Sequence, residues 1–146
     1  MEELDRKDTA ILEYLENQAR DKISLMSDRL GIPRATIFER MERMKKEGII
    51  KKFTIEPDYE KIGMPVLAYI MINFDPKCSI DQKTLSERLS RFPNVISVAI
   101  ISGQWDILVL TRNRSMKELS MFVLDKLRSM EGVERTLSLP IFDKIK

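Results

Sequence analysis

The stretch from Ile23 to Ile50, I-S-L-M-S-D-R-L-G-I-P-R-A-T-I-F-E-R-M-E-R-M-K-K-E-G-I-I, admits few folds. Gly31 stops one short helix, Pro33 sits in the first turn of a second, and Ile37, Met41 and Met44 repeat at helical spacing along that second helix. A proline early in a helix costs no hydrogen bond, and one apolar stripe leaves the other side free. Two short helices joined by a sharp turn are a helix-turn-helix, which lays its second helix in the major groove of DNA.

A length of 146 residues suits one ordinary domain or two small ones, and 43% hydrophobic with 33% charged residues is a soluble, globular balance. No apolar run approaches the roughly 20 residues a spanning helix needs. The opening M-E-E-L-D-R-K-D carries acids where a signal peptide carries basic charge, so no membrane partner and a cytoplasmic location are expected. Cys78 is the single cysteine, which rules out an internal disulfide, and the lack of histidine removes imidazole as ligand, base or pH switch. Abundant Lys and Glu beside few Asn and Gln lean toward a heat-loving source.

The net charge of +2 says little until it is located. From Arg34 to Lys52, Arg34, Arg40, Arg43, Lys45, Lys46, Lys51 and Lys52 stand against Glu39, Glu42 and Glu47, a local excess of +4, so the remainder sums to −2. A basic focus on the second helix and on the segment after it suits phosphate contact that weakens steeply with salt. The alternative is a solvated charged face.

Periodicity divides the chain. Asp5 to Asn17, with Ile11, Leu12 and Leu15 inward and Asp5 or Asp8 as cap, predicts a first helix. Ser24 is a candidate cap for the second, with Leu25, Met26 and Leu30 inward; the third runs from Pro33 to Glu47 and stops at Gly48. Ile49 to Ile55 reads as an exit strand, and E-P-D-Y-E-K-I-G-M as a linker. The expected division is 1–52 for the helix-turn-helix domain, 53–64 for a linker strand and hinge, and 65–146 for a second domain.

In that second domain, strands are expected at Val66–Phe74, Val95–Ile101, Asp106–Thr111 and Val133–Ile141. One helix is expected at Ile80–Phe92, and another is capped by Ser115 with Met116, Leu119, Phe122, Val123 and Leu127 inward. The order βαββαβ is that of a ferredoxin-like sandwich, so the fold class is α+β. Strands apolar on both sides in a domain of about 80 residues point to a second copy covering the open sheet face.

These segments together resemble the Lrp/AsnC, or feast/famine, family of bacterial and archaeal transcription regulators. The resemblance rests on L-D-R-K-D-T-A-I-L at 4–12, R-M-E-R-M-K-K-E-G-I-I-K-K-F at 40–53 and I-G at 62–63. It continues through S-G-Q-W-D-I-L at 102–108 and M-E-G-V-E-R-T at 130–136. It implies a winged-helix-like reader joined to a ferredoxin-like domain that dimerises through its sheets, commonly assembles as four dimers, and binds amino acids or related metabolites between dimers. An archaeal source fits the same pattern. Trp105 departs from it, standing where tyrosine is frequent.

A turn of about 100° per residue away from the buried stripe exposes Ala35, Thr36, Glu39, Glu42, Arg43 and Lys46. Thr36 and Glu39 are best placed for base edges, and Arg34 and Phe38 lie on a flank where they meet a phosphate or a thymine methyl. Arg40 lies beside the stripe; a structural ion pair competes with the DNA contact that the resemblance implies for it. Glu39 is also spaced to pair with Arg43. Lys51 and Lys52 are wing-strand candidates for phosphate, with a solvated strand edge as the alternative. The DNA set is thus Arg34, Ala35, Thr36, Phe38, Glu39, Arg40, Arg43, Lys51 and Lys52.

Glycine between two strands is commonly a hairpin requirement, and Asp106 is a natural turn acceptor. The family pattern adds a pocket for a small ligand at Gly103 and Asp106, with Ser102, Gln104 and Trp105 beside them. Trp105 is equally an interface anchor by residue type. No nucleophile, base and metal constellation is legible, so no enzyme, metal or cofactor is expected beyond an amino-acid effector. The implied function is sequence-specific binding of double-stranded DNA by a homo-oligomer, a dimer or octamer, that regulates transcription. The competing reading is a metabolite-binding or DNA-architectural oligomer without promoter specificity.

Overall fold

The computed structural model describes residues 3–145, and the chain divides between Glu56 and Pro57 into two compact units. The first holds α1 (Arg6–Gln18), α2 (Ile23–Leu30) and α3 (Arg34–Lys46). Asp5 caps α1, its carboxylate accepting from the backbone N–H groups of Lys7 and Asp8 while the Asp8 side chain accepts from the Asp5 N–H. That reciprocal arrangement satisfies donors which a helix start otherwise leaves open. Gly31 ends α2 in the left-handed conformation at φ 65°, where a side chain would be strained. Ile11, Met26, Ile37 and Met44 are fully or almost fully buried, with Leu15 and Ile32 completing the core and Met41 packed against it.

Local expectations shift at several points. Lys22, not Ser24, occupies the cap position of α2 and makes no side-chain capping bond; the helix is already under way at Ile23, which leaves Ser24 inside its first turn. Leu25 faces solvent instead of the core, because Met26, one step of the helix away, takes the inward direction. Pro33 sits at the cap of α3, one position before the helix. The exit strand is absent: 51–56 is exposed, irregular chain, since a sequence with strand propensity still needs a neighbour to bond with.

The second unit runs β1 (Val66–Phe74), α4 (Gln82–Ser90), β2 (Val95–Ile100), β3 (Ile107–Asn113), α5 (Met116–Met121) and β4 (Val133–Pro140). The strands form one antiparallel sheet in the order β2-β3-β1-β4, so the two middle strands are β3 and β1. This is the ferredoxin-like arrangement expected from the chain order. Asp81 caps α4 and Ser115 caps α5, each accepting a backbone N–H three residues on. Beyond Met121 the rod widens into a π-helical turn at Phe122–Lys126 and tightens to a 3-10 turn at Leu127–Ser129. The phase change keeps Phe122, Val123 and Leu127 in the core, while Met116, expected inward, is exposed at the first turn.

One sheet face carries Ala68, Ile70, Ile72, Ile107 and Val109 into a core with Leu85, Leu89, Leu119, Phe122, Val123 and Leu127. Phe92 and Phe122 meet edge-to-face within it, ring centroids 5.1 Å apart. Side chains alternate across a strand, so the opposite face carries Leu67, Tyr69, Met71, Leu108, Leu110, Leu137 and Leu139. Of these, Tyr69, Leu137 and Leu139 are 39%, 40% and 42% exposed. The sheet is therefore packed on one side and apolar on the other.

Candidate nucleic-acid interface and effector loop

Helix α3 sends one apolar stripe into the core. Ile37 and Met44 are fully buried, and the remaining circumference of the helix has two unlike flanks. Thr36, Arg40 and Arg43 turn toward the start of α1, where with Asp5, Asp8 and Glu39 they line a cleft of about 450 Å³. There Arg40 Nη1 lies 2.7 Å from Asp5 Oδ1 and 2.8 Å from Asp8 Oδ1, and Arg43 Nη2 lies 2.6 Å from Asp8 Oδ2. Asp8 is fully buried. Burial pushes its carboxyl up, but hydrogen bonds from Arg43, the Asp5 backbone and Arg40 outweigh burial and hold it at about 2. The same contacts raise Arg40, first through Asp5 and then Asp8.

The other flank faces away from this corner. Arg34, Ala35, Phe38, Glu42, Lys45 and Lys46 are exposed there, and Glu42 accepts from Lys45 Nζ at 2.8 Å; Glu39, also exposed, stands at the rim of the cleft. Phe38 is 55% exposed. Lys51 and Lys52 are exposed in the irregular segment beyond the helix. The basic excess counted along the chain is thus unevenly available, because Arg40 and Arg43 share carboxylates from a helix some thirty residues earlier. By sequence alone, Asp5 and Asp8 read only as helix caps. The signal for more is present as two matched i,i+3 pairs, Asp5/Asp8 and Arg40/Arg43, which one flank of each helix can bring face to face.

In the second unit the turn 101–106 is tied to the sheet end. Asp106 Oδ2 accepts from the Phe74 N–H at 2.8 Å, its carbonyl accepts from Ile101 N at 2.8 Å and Gln82 Nε2 at 3.0 Å, and its N–H donates to Ile72 O at 3.0 Å. Asn73 Nδ2 donates to Gln104 O at 2.8 Å, Arg135 Nε donates to Asn73 Oδ1 at 3.1 Å, and the Arg135 guanidinium stacks 4.8 Å over the Trp105 ring. Gly103 takes φ 125°, while Ser102, Gly103 and Gln104 are exposed and Trp105 and Asp106 half-buried. The loop is therefore held from beneath with its tip free. Asn73, Gln82 and Arg135, which do this holding, carry no local sequence signal because they lie far from the glycine turn in the chain.

Among the described residues no group of three or more His, Cys, Asp or Glu could hold a metal ion, and no helix is long and apolar enough to cross a membrane.

Residues 4–51 match a winged helix-turn-helix DNA-binding domain, and residues 67–146 match the Lrp/AsnC ligand binding domain. The chain belongs to the Lrp/AsnC family. An HTH-type transcriptional regulator of Pyrococcus horikoshii is 40% identical over 143 residues, covering 98% of this chain and 95% of that one. Among solved structures, a Neisseria meningitidis transcriptional regulator in complex with L-Met superposes at TM-score 0.86 with 24% identity, covering 99% of this chain and 93% of that one. AsnC of E. coli does so at TM-score 0.84 with 24% identity, over 99% and 96%. This Lrp/AsnC chain is thus a DNA-binding transcription regulator in which a reader and a ligand-binding domain are joined.

Proposed function

We propose that this regulator binds duplex sites of two-fold character as a dimer or larger homo-oligomer, α3 of each subunit entering a major groove. The observation that carries this reading is the asymmetry of α3. The helix is fixed by fully buried Ile37 and Met44, while Arg34, Ala35, Phe38, Glu39, Lys45 and Lys46 stand exposed along it. Reading a groove requires such a rigidly mounted helix with a polar, basic free side. In this reading Arg34 meets phosphate, Thr36 and Glu39 reach base edges, and Lys51 and Lys52 add backbone contacts. Self-association is supported by the apolar sheet face, whose burial by a second copy removes Tyr69, Leu137 and Leu139 from water.

An amino acid or related metabolite is the proposed effector, held at the free tip of the 102–106 loop. L-Met in the Neisseria structural neighbour supports that ligand class, and the loop's tethering supports the place: exposed residues Ser102, Gly103 and Gln104 on a base pinned by Asp106 and Asn73. Such a ligand acts by binding one assembly better than another, with no catalytic step. The regulator works, in this reading, in the cytoplasm beside its DNA.

The test is binding of the purified chain to duplexes from its own upstream region across salt concentrations, with and without each amino acid. Tight, sequence-selective and salt-steep binding supports the reading. Weak binding indifferent to sequence replaces it with a metabolite-binding or architectural role.

A further inference from the structure

From the surface of α3 we infer that Phe38 reads a thymine methyl group. The inference rests on the proposed DNA reading by α3 and names a base feature that this chain selects. An aromatic side chain on a water-facing helix is costly to leave exposed, and Phe38 is 55% exposed on the one helix presented for reading. It belongs neither to the core of its unit nor to the partly buried shell that packs on that core. Its position on the helix makes its exposure directional. Thr36, Arg40 and Arg43 line the acidic corner at α1, whereas Phe38 lies on the opposite flank between Arg34, four residues before it, and Lys45, seven after it.

Residues at those spacings share one helix face. Exposed Arg34 on one side of the exposed ring and Lys45, paired with Glu42 at 2.8 Å, on the other form a surface that fits a groove edge, with Arg34 toward a phosphate and the apolar ring beside it. In the major groove the one apolar group offered by any base is the C5-methyl of thymine, which discriminates thymine from cytosine and from the other bases at that step. Neighbouring Glu39, also exposed, is an acceptor only and adds no competing claim on a methyl.

The experiment starts from duplexes selected from a random pool by the full-length wild-type chain. In the strongest duplex each thymine is replaced in turn by deoxyuridine, which deletes the methyl group and leaves the hydrogen-bonding edge intact. The expected result is a loss of about fourfold in affinity at one position per half-site, the worth of burying one methyl-sized group. In Phe38→Ala, which alters a half-exposed side chain and should fold, thymine and uracil at that position bind equally; Phe38→Leu restores part of the difference. Uracil tolerated at every position by the wild type overturns the inference, as does a methyl penalty that persists in Phe38→Ala. A pool from which no sequence is enriched overturns the DNA-reading proposal itself, an outcome distinct from either of those.

Discussion

The Arg40 guanidinium lies 2.8 Å from the carboxylate of Asp8, a fully buried acid that also receives Arg43 at 2.6 Å. One carboxylate thereby ties the first helix of the reader to the middle of the third. Asp8→Asn should leave two cations against a neutral amide, and losing one partner of a buried pair costs about 3 kcal/mol. The expected outcome is a lower melting temperature for the helix-turn-helix unit with the ferredoxin-like unit unaffected. Differential amide exchange or separate calorimetric transitions would resolve the two.

Acid sensitivity arises from the same pair. The Asp8 carboxyl is held at about 2 against an ordinary value of 3.8, so its folded form is the one that prefers the charged state. A depressed pKa contributes stability that is fully present above the unfolded value and is lost as pH falls through the folded one. The reader should therefore weaken between about pH 4 and pH 2, by an amount on the order of 2 kcal/mol. Asp8→Asn should flatten the curve in that window. An unchanged profile in the variant would place the acid-labile group elsewhere.

Arg34 and Arg40 should behave differently on DNA, although both are arginines of α3. Arg34 is exposed at the helix start, whereas Arg40 is held between Asp5 and Asp8. Removing one phosphate contact lowers the slope of log K against log salt by about one. Arg34→Ala is expected to show that fall with roughly uniform weakening across sequences. Arg40→Gln should leave the slope nearly unchanged and lower thermal stability instead. Equal slope changes in the two variants would mean that the acidic corner opens on binding.

Asp106 offers a check on the proposed effector site at the 102–106 loop. Its carboxylate accepts the Phe74 N–H, so Asp106→Ala leaves that donor without its partner, at a cost of about 1–2 kcal/mol. A modest fall in the melting temperature is expected, together with an altered response to the amino acid that shifts the wild type. Loss of stability with an unaltered ligand response would assign Asp106 to the hairpin alone.

Much of this architecture is legible in the sequence because the chain carries it in local pattern. Gly31 with Ile37, Met41 and Met44 marks the turn and the buried stripe, and the expected Val66–Phe74 is one of the two middle strands. The four strand segments and two helices of the second half specify the ferredoxin-like order. Local pattern fails wherever an element depends on a partner outside its own window. The segment 49–55 has strand composition but no strand beside it, and Ser24 has a capping side chain but sits two positions past the cap at Lys22. The ionic corner of Asp5, Asp8, Arg40 and Arg43 joins positions more than thirty residues apart, beyond any periodicity argument. Gly132 is a further case. A Cβ there would lie 3.1 Å from the Phe74 ring and 3.3 Å from Leu85, at φ 91°, so the glycine of M-E-G-V-E-R-T is needed both for backbone freedom and for space.

The apolar sheet face carries the last prediction. Leu137 faces Met71 across the β4–β1 pairing and is 40% exposed, so Leu137→Asp places a charge where a single copy meets solvent and the proposed dimer would make apolar contact. In the monomer the exchange falls at a part-exposed position of the edge strand β4 and costs about 1 kcal/mol. At a sheet-to-sheet interface it buries an unpaired carboxylate, which is far more costly. Sedimentation at micromolar concentration should show the wild type as a dimer or a multiple of it and the variant as a monomer of unchanged circular dichroism. Binding to a two-half-site duplex should then fall by about a hundredfold or more, because two linked readers raise each other's effective concentration and a single reader does not. A variant that keeps its mass would move the interface off this face. A variant that becomes monomeric yet binds DNA as before would show that each reader acts alone.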